Sequence, residues 1–307
     1  MRYYSFNNYL RAKYGCRVHR LSLDAGFTCP NKDGKVGSGG CIFCNEQAFS
    51  VFAGKKLSLD AQIGESMEFA RKRYGAEKFI AYFQNGSGTY GSTETLKQKY
   101  DTIRKYEDIV GLFISTRPDC IDEKNLDLIA EYLKDYEVWI ELGLQTVHDR
   151  TLEFINRGHT FKQTEEAIQA IADRGIKVAV HLIAGLPGET ADDMLETVKT
   201  IAKLPVAGVK FHVLHVLRDT PLENYYKQGK INLLDEGKYV NIISDLLAHI
   251  PKDWVILRLV SDANRKVLVA PDWVLRKQEI VEKIEKQLIK SGLCQGKLLE
   301  DKKGESK

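Results

Sequence analysis

Short apolar runs rich in β-branched and aromatic residues recur along the 307-residue chain, and amphipathic stretches of helical period fill the intervals. The runs predict strands at Val18–Leu23, Lys78–Phe83, Ile109–Ser115, Val138–Leu144, Ile176–Ala184, Val209–Val216 and Val255–Val260. Helical periodicity covers 59–74, 93–106, 123–135, 162–174, 191–203 and 235–249, with a last charged helix at about 274–291. Ser92 with Thr95, Asp122 and Thr190 stand where helix N-caps are needed. Strand–helix alternation over nearly the whole chain dictates an α/β fold with a parallel sheet, either open and doubly wound or a closed or partial barrel. The unusual motifs each follow a strand: a cysteine group the first, Gln84–Gly91 the second, Gln145–His148 the fourth and Gly185–Glu189 the fifth. Parallel barrels place their chemistry at the C-terminal strand ends, so this placement favours the barrel.

Composition narrows the class. Hydrophobic residues make up 43% and charged residues 28%, which excludes wholesale disorder, collagen and coiled-coil arrays. No apolar run approaches the ~20 residues needed to span a bilayer. Met1–Asn8 has no apolar core of a signal peptide, so a cytoplasmic protein is expected. The net charge of +3 divides unevenly: +6 over residues 1–59 (nine basic, three acidic), −6 over 60–275 (27 basic, 33 acidic) and +3 over 276–307 (nine basic, six acidic). Positive ends around an acidic middle suit an anionic partner such as RNA, although scattered solvated charge gives the same count.

The cysteines change the picture more. Cys29, Cys41 and Cys44 fall within sixteen residues, joined by a glycine-rich loop that can fold closely around a bound centre. Cys16, Cys120 and Cys294 stand alone and read as buried thiols. Thiolates are soft ligands for zinc or iron–sulfur centres. A structural zinc needs four ligands, with His19 or Cys16 the nearest candidates for the fourth. Three sulfurs on a four-iron cluster would instead leave one iron open. Spacing alone leaves iron–sulfur, zinc and unrelated buried thiols all standing.

The other loops carry weaker signals. Gly86 and Gly88, within Gln84–Tyr90, would let backbone approach a ligand; a phosphate loop is excluded because the Lys-Ser/Thr ending is missing. Glu141 and Gln145 sit in an otherwise apolar strand and need partners, in the plain reading an internal pair with arginine or backbone. Gly185–Thr190 reads as a turn with Thr190 as helix cap, and His181 as a core histidine. Period-two geometry puts Lys210, His212 and Leu214 on one strand face, with Phe211, Val213 and His215 on the other. An inward Lys/His face would suit an anionic or polar substrate, with Arg258 and Asp262 joining the same pocket. The plain alternative is a strand edge in solvent. Trp254 and Trp273 read as core.

At the cysteine group the sequence resembles the radical S-adenosylmethionine (radical SAM) enzymes. The eleven-residue gap between Cys29 and Cys41 replaces their usual three and is similar to the YhcC/YtqA-type (MnmL-like) branch, related to the catalytic subunit of Elongator. The resemblance spans roughly residues 1–290, including Tyr4–Leu10 and Arg20–Asn31; Gln84, Thr89 and Tyr90 also agree with the branch. It implies a partial (β/α)6-type TIM barrel over 18–262, after an N-terminal extension over 1–17. A C-terminal helical extension over 263–294 and a disordered tail over 295–307 would follow. It also implies that Cys29, Cys41 and Cys44 hold a 4Fe–4S cluster whose open iron takes S-adenosylmethionine (SAM). Phe43 would then lie near the adenine, and Gln84, Gly86 and Gly88 near the methionyl amine. Glu141 and Gln145 would serve the ribose and methionine, Arg157 the SAM carboxylate, and Gly185 the adenine pocket. Lys210 and His212 are the candidate catalytic residues. The implied reaction generates a 5′-deoxyadenosyl radical, with an electron donor such as flavodoxin or ferredoxin. The implied substrate is tRNA, at a wobble uridine, converted from the 5-carboxymethylaminomethyl to the 5-aminomethyl form. A radical SAM oxidoreductase or transferase for a small metabolite, and a zinc-bound RNA-binding module without catalysis, are the competing expectations.

Overall fold

The computed structural model of the protein describes residues 1–45 and 57–300. Its strands are β1 (Val18–Leu23), β2 (Lys78–Phe83), β3 (Ile109–Thr116), β4 (Glu137–Gln145), β5 (Lys177–Ala184), β6 (Gly208–Val213), β7 (Val216–Leu217), β8 (Val255–Arg258) and β9 (Leu268–Ala270). The first six and β8 form one parallel sheet in chain order, whereas β7 and β9 make a separate antiparallel ribbon. The seven-stranded sheet curls into a half-barrel. Every predicted strand is present, with ends shifted by a few residues. The largest shift is at β6, which stops at Val213, where Ser261 Oγ accepts the Val213 N–H at 3.0 Å. Val216 and Leu217 then leave the sheet to pair with β9.

The helices are α1 (Phe6–Tyr14), α2 (Leu59–Tyr74), α3 (Thr93–Tyr100), α4 (Glu123–Ala130), α5 (Asp149–Phe154), α6 (Phe161–Ala172), α7 (Ala191–Ile201), α8 (Pro221–Lys227), α9 (Glu236–Ala248), α10 (Lys277–Lys290) and α11 (Lys297–Glu300). Ser92, Asp122 and Thr190 are N-caps as their sequence positions require, and Thr190 completes a capping box with Asp193. The helix expected over 93–106 tightens at Asp101 into a 3-10 turn, where the Asp101 carboxylate takes up Lys97, Arg104 and Tyr132. The polar tail expected to be disordered from Gln295 is ordered through α11. Gln295 is buried and donates to the carbonyls of Pro251 and Trp254 at 2.7 and 2.8 Å. Residues 301–307 of that tail lie outside the described residues. Among the described residues, no helix is long and apolar enough to cross a membrane.

Strand alternation sorts the interior into layers. Leu21, Phe79, Ile114, Val138, Ile140, Val180 and Phe211 point outward and pack beneath the helices in the main core. Ile80, Phe113, Trp139, Ala179, Val255 and Leu257 point inward and form an apolar layer inside the curl. Leu10 of α1 packs against that layer, and Tyr9 meets Trp139 edge-on with ring centroids 5.8 Å apart. Helix α1 thus closes the N-terminal end of the half-barrel. Tyr9, Lys13, Lys177 and the Trp139 indole all converge on the Glu137 carboxylate. At the opposite end, above the apolar layer, the inward positions turn polar.

Candidate active site

The first polar layer is built on Glu141, which has no exposed surface. Its carboxylate accepts from Arg20 Nη1 (2.9 Å), Tyr82 Oη (2.8 Å), His181 Nε2 (2.7 Å) and Lys210 Nζ (2.7 Å), so strands β1, β2, β4, β5 and β6 meet at one anion. Burial alone would lift this carboxyl. Lys210, Arg20 and His181 overrule it and hold the group well below the ordinary carboxylate range. Burial pushes the Lys210 ammonium down, with Glu141 pulling the other way. His181 is driven to about 4 by burial and by Lys210, so it is neutral and Nε2 carries the proton donated to Glu141.

Above this layer opens a cavity of about 200 Å³. The inward residues Tyr82, Gln84, Ser115, Gly143, Gln145, His181, Ile183, Lys210 and His212 line its lower wall. Cys29, Cys41, Phe43 and Cys44 close one side. Among the described residues, Lys32, Arg117, Arg157 and Lys210 lie on the wall, and no Asp or Glu does. Such a lining receives anions and thiolate-bound metal, and it disfavours a bare hard cation.

The cysteine loop is stitched to the loop after α5. Asn31 Nδ2 donates to the Asn156 carbonyl at 2.6 Å, and Asn156 Nδ2 returns a bond to the Gly40 carbonyl at 2.7 Å. Cys41 is buried, and its sulfur faces Arg157 Nη1 at 3.4 Å and Asn31 Nδ2 at 3.7 Å. Arg157 is itself fixed by two bonds to the Gly143 carbonyl, and a Cβ on Gly143 would collide with its guanidinium. Gly86 adopts φ +70° with its Cα against the Phe27 carbonyl, so only glycine fits there. Gln145 holds φ +80° at an irregularity in the β4–β5 register, a strained conformation for a residue on a cavity wall.

These positions bear on the zinc alternative. One tetrahedral ion draws its sulfurs within about 3.8 Å of each other. Among the described residues, the only trio of His, Cys, Asp or Glu with ligand atoms within 4.8 Å of one another is His148, Asp193 and Glu196, away from the cysteines. His19 stacks on Tyr74 with centroids 4.9 Å apart, and Cys16 precedes β1, at the far end of the strand from the cysteine loop. Neither expected fourth ligand lines the cavity. The three thiols around one open pocket fit a larger cluster with a free coordination position.

Several expectations need correction. Glu141 does not line the cavity; both of its oxygens are consumed by internal partners, so it is not placed to bind a cofactor directly. Gly88 lies behind the wall, its carbonyl taken by Tyr100 Oη at 2.5 Å, and Gly185 packs against Leu234. His215, assigned to the outer face of β6, turns onto the cavity because the strand has already ended at Val213. His181 lines the cavity as well as belonging to the buried network. Arg258 and Asp262 pair with each other at 2.8 Å and stay off the wall. Phe43, Gln84, Gly86, Gln145, Arg157, Lys210 and His212 do meet there. His212 Nε2 is buried without a partner, and burial together with Arg258 and His181 keeps the ring neutral. Arg117, which follows β3, was not anticipated. Its signal was a charged side chain at the C-terminal end of a strand, in Ser115-Thr116-Arg117-Pro118.

The comparisons with known proteins agree with this geometry. Residues 34–201 match the model of the radical SAM superfamily, and 206–290 match that of a radical SAM C-terminal domain. The chain is 38% identical to the uncharacterized protein YtqA of Bacillus subtilis over 306 residues, covering 99% of this chain and 95% of that one. It is 38% identical to YhcC of Escherichia coli K12, covering 87% and 86%. A tRNA uridine(34) acetyltransferase of Methanocaldococcus jannaschii is 34% identical over 60% of this chain but only 34% of its own length. The archaeal Methanocaldococcus infernus Elp3 structure has a similar fold, with a TM-score of 0.66 at 23% identity, covering 91% of this chain and 64% of that one. A half-barrel, a cysteine-lined cavity at its C-terminal strand ends, and sequence kinship across nearly the full length lead to one assignment: this chain belongs to the radical SAM superfamily.

Proposed function

We propose that the protein is a radical SAM enzyme of the cytoplasm that acts on tRNA and removes the carboxymethyl arm of a 5-carboxymethylaminomethyl wobble uridine, leaving the 5-aminomethyl form. The observation that carries this reading is the cavity, which among the described residues has three thiols on one side, four basic side chains around it and no carboxylate on its wall. When bound, a 4Fe–4S cluster on Cys29, Cys41 and Cys44 supplies the electron that splits SAM into methionine and the 5′-deoxyadenosyl radical that takes a hydrogen from substrate. The chain's own residues bind, orient and exclude water. Arg157 Nη1 and Asn31 Nδ2 face the Cys41 sulfur, and Arg157 lines the side assigned to the SAM carboxylate. Gln84 and Gly86 line the side assigned to the methionyl amine, and Phe43 the side assigned to the adenine. His212 presents a neutral, unpartnered Nε2, and Lys210 is held in place by Glu141 and Tyr82. Ile183, Leu214 and Leu217 make the wall partly apolar.

The reaction balances without oxygen. The glycine-derived carbon loses two electrons and water cleaves its C–N bond, giving the primary amine and glyoxylate. The same two electrons account for methionine and 5′-deoxyadenosine from SAM. Kinship with an enzyme named for uridine 34 of tRNA, together with the net +6 of residues 1–59, supports RNA as the substrate.

The test is anaerobic reconstitution with iron and sulfide. About four irons per chain are expected, with 5′-deoxyadenosine formed from SAM when reduced flavodoxin or ferredoxin is supplied. Serine at Cys29, Cys41 or Cys44 should abolish both. With tRNA bearing the carboxymethylaminomethyl group, 5-aminomethyluridine and glyoxylate should appear together. Zinc without iron would overturn the radical mechanism. SAM cleavage that leaves this tRNA unchanged would transfer the activity to a small metabolite.

A further inference from the structure

Arg117 is a buried cation with one arm unused. Its side chain is 4% exposed, and Nε and Nη2 each grip Asp119 at 2.8 Å. Nη2 also donates to the Arg157 carbonyl at 2.7 Å. Those bonds fix the plane of the guanidinium. Nη1 remains, buried and without an acceptor, on a side chain that lines the cavity. An unpaired buried donor on a charged group is costly, and such a group calls for an acceptor supplied from outside the chain. Asp119 is already engaged by the other edge of the fork. Arg157, the other buried arginine of the wall, is committed to the Gly143 carbonyl and faces Cys41.

We propose that Arg117 Nη1 receives the carboxylate of the substrate's carboxymethyl arm and is the residue by which the site distinguishes that arm from the bare amine. The inference rests on the tRNA reading above and assigns the part of the substrate that the reading leaves unrecognised. It accounts for a second buried arginine in a site where SAM brings one carboxylate and the substrate another. It also accounts for product release: the aminomethyl group carries no carboxylate and is cationic, so Arg117, Arg157 and Lys210 all disfavour it.

Arg117→Lys is the informative variant, because a lysine can stay beside Asp119 but cannot span Asp119 and a ligand at once. Four quantities are compared with wild type: iron content, SAM affinity by equilibrium dialysis, and the affinities of two anticodon stem-loop RNAs. One RNA carries 5-carboxymethylaminomethyluridine and the other 5-aminomethyluridine. Iron, SAM affinity and aminomethyl-RNA affinity should be unchanged. Affinity for the carboxymethylaminomethyl RNA should fall about 10- to 100-fold, the range for losing one charge-assisted hydrogen bond. Arg117→Gln with Asp119→Asn, which removes both charges together and leaves no lone buried ion, should erase the same preference and provides the reading if the lysine variant fails to fold. Variants that retain the wild-type preference overturn the proposal. So does a loss of SAM affinity with RNA discrimination intact, which would give Arg117 to the SAM carboxylate, and so does a wild type that binds both RNAs alike. A wild type that prefers the first RNA yet never converts it would overturn the reaction and leave the recognition standing.

Discussion

At the scale of single residues, burial has decided protonation. The imidazole of His159 is driven to about 3 by burial beside Arg157 and Arg117, and that of His181 to about 4 by burial beside Lys210. In the unfolded chain both titrate near 6.5. Between that value and the folded ones, the unfolded state binds protons that the folded state refuses, so their contribution is fully present above about pH 6.5 and is lost on acidification. Each can cost up to about 1.4 kcal/mol per pH unit below it. Glu141, held well below its ordinary range, keeps its full contribution until the pH falls toward 4.5, where the unfolded carboxyl begins to protonate. Urea unfolding at about pH 7.5, 6.5 and 5.5 should therefore show stability falling on acidification, with a shallower fall between 6.5 and 5.5 for His159→Asn; an identical fall in that variant would rule out His159 as a source. The sequence announced that Glu141 was special, because a carboxylate inside an apolar strand must find partners. It did not say that all four partners would be protein groups, since Arg20, Tyr82, His181 and Lys210 come from four other strands. Arg117 stayed hidden because a lone arginine after a strand looks like any surface charge until Asp119 and Arg157 are seen around it.

At the scale of elements, α1 supplies what the sheet lacks. A half-barrel has an inner face as well as an outer one, and the apolar layer of Phe113, Trp139 and Val255 would be open to water without Leu10, Tyr9 and Phe6. Leu10 is 3% exposed, so Leu10→Ala should cost about 2–5 kcal/mol, read as a lower denaturation midpoint at an unchanged slope. A cost below about 0.5 kcal/mol would mean that α1 is only a loose cover. The strands were legible because most are β-rich runs buried on both faces, whereas β1 buries only Leu21 and Leu23. Helix α1 was not recognised because it is only nine residues long and Leu10 is its single fully buried residue. The short helices α5 and α8 were missed for the same reason, being loop segments one or two turns long that organise the cavity rim.

At the scale of the whole molecule, the uneven charge has a measurable consequence. Phosphate contacts release counterions, so the tRNA binding proposed above should weaken by about tenfold or more between ~50 and ~200 mM salt. Affinity indifferent to salt would point away from RNA. The ends of the chain have a consequence of another kind. The Arg2 carbonyl accepts from the Gln295 backbone, Gln295 Oε1 accepts from the Tyr4 N–H, and the Tyr4 carbonyl accepts from Ile256. Residues 2–4 therefore find these partners, 291 positions away for the Tyr4–Gln295 bond, only late in synthesis. Contacts of such separation slow folding, and the floor beneath Trp139 is sealed last. During synthesis the inner aromatic layer waits uncovered, and the nascent chain is open to aggregation until these distant segments meet.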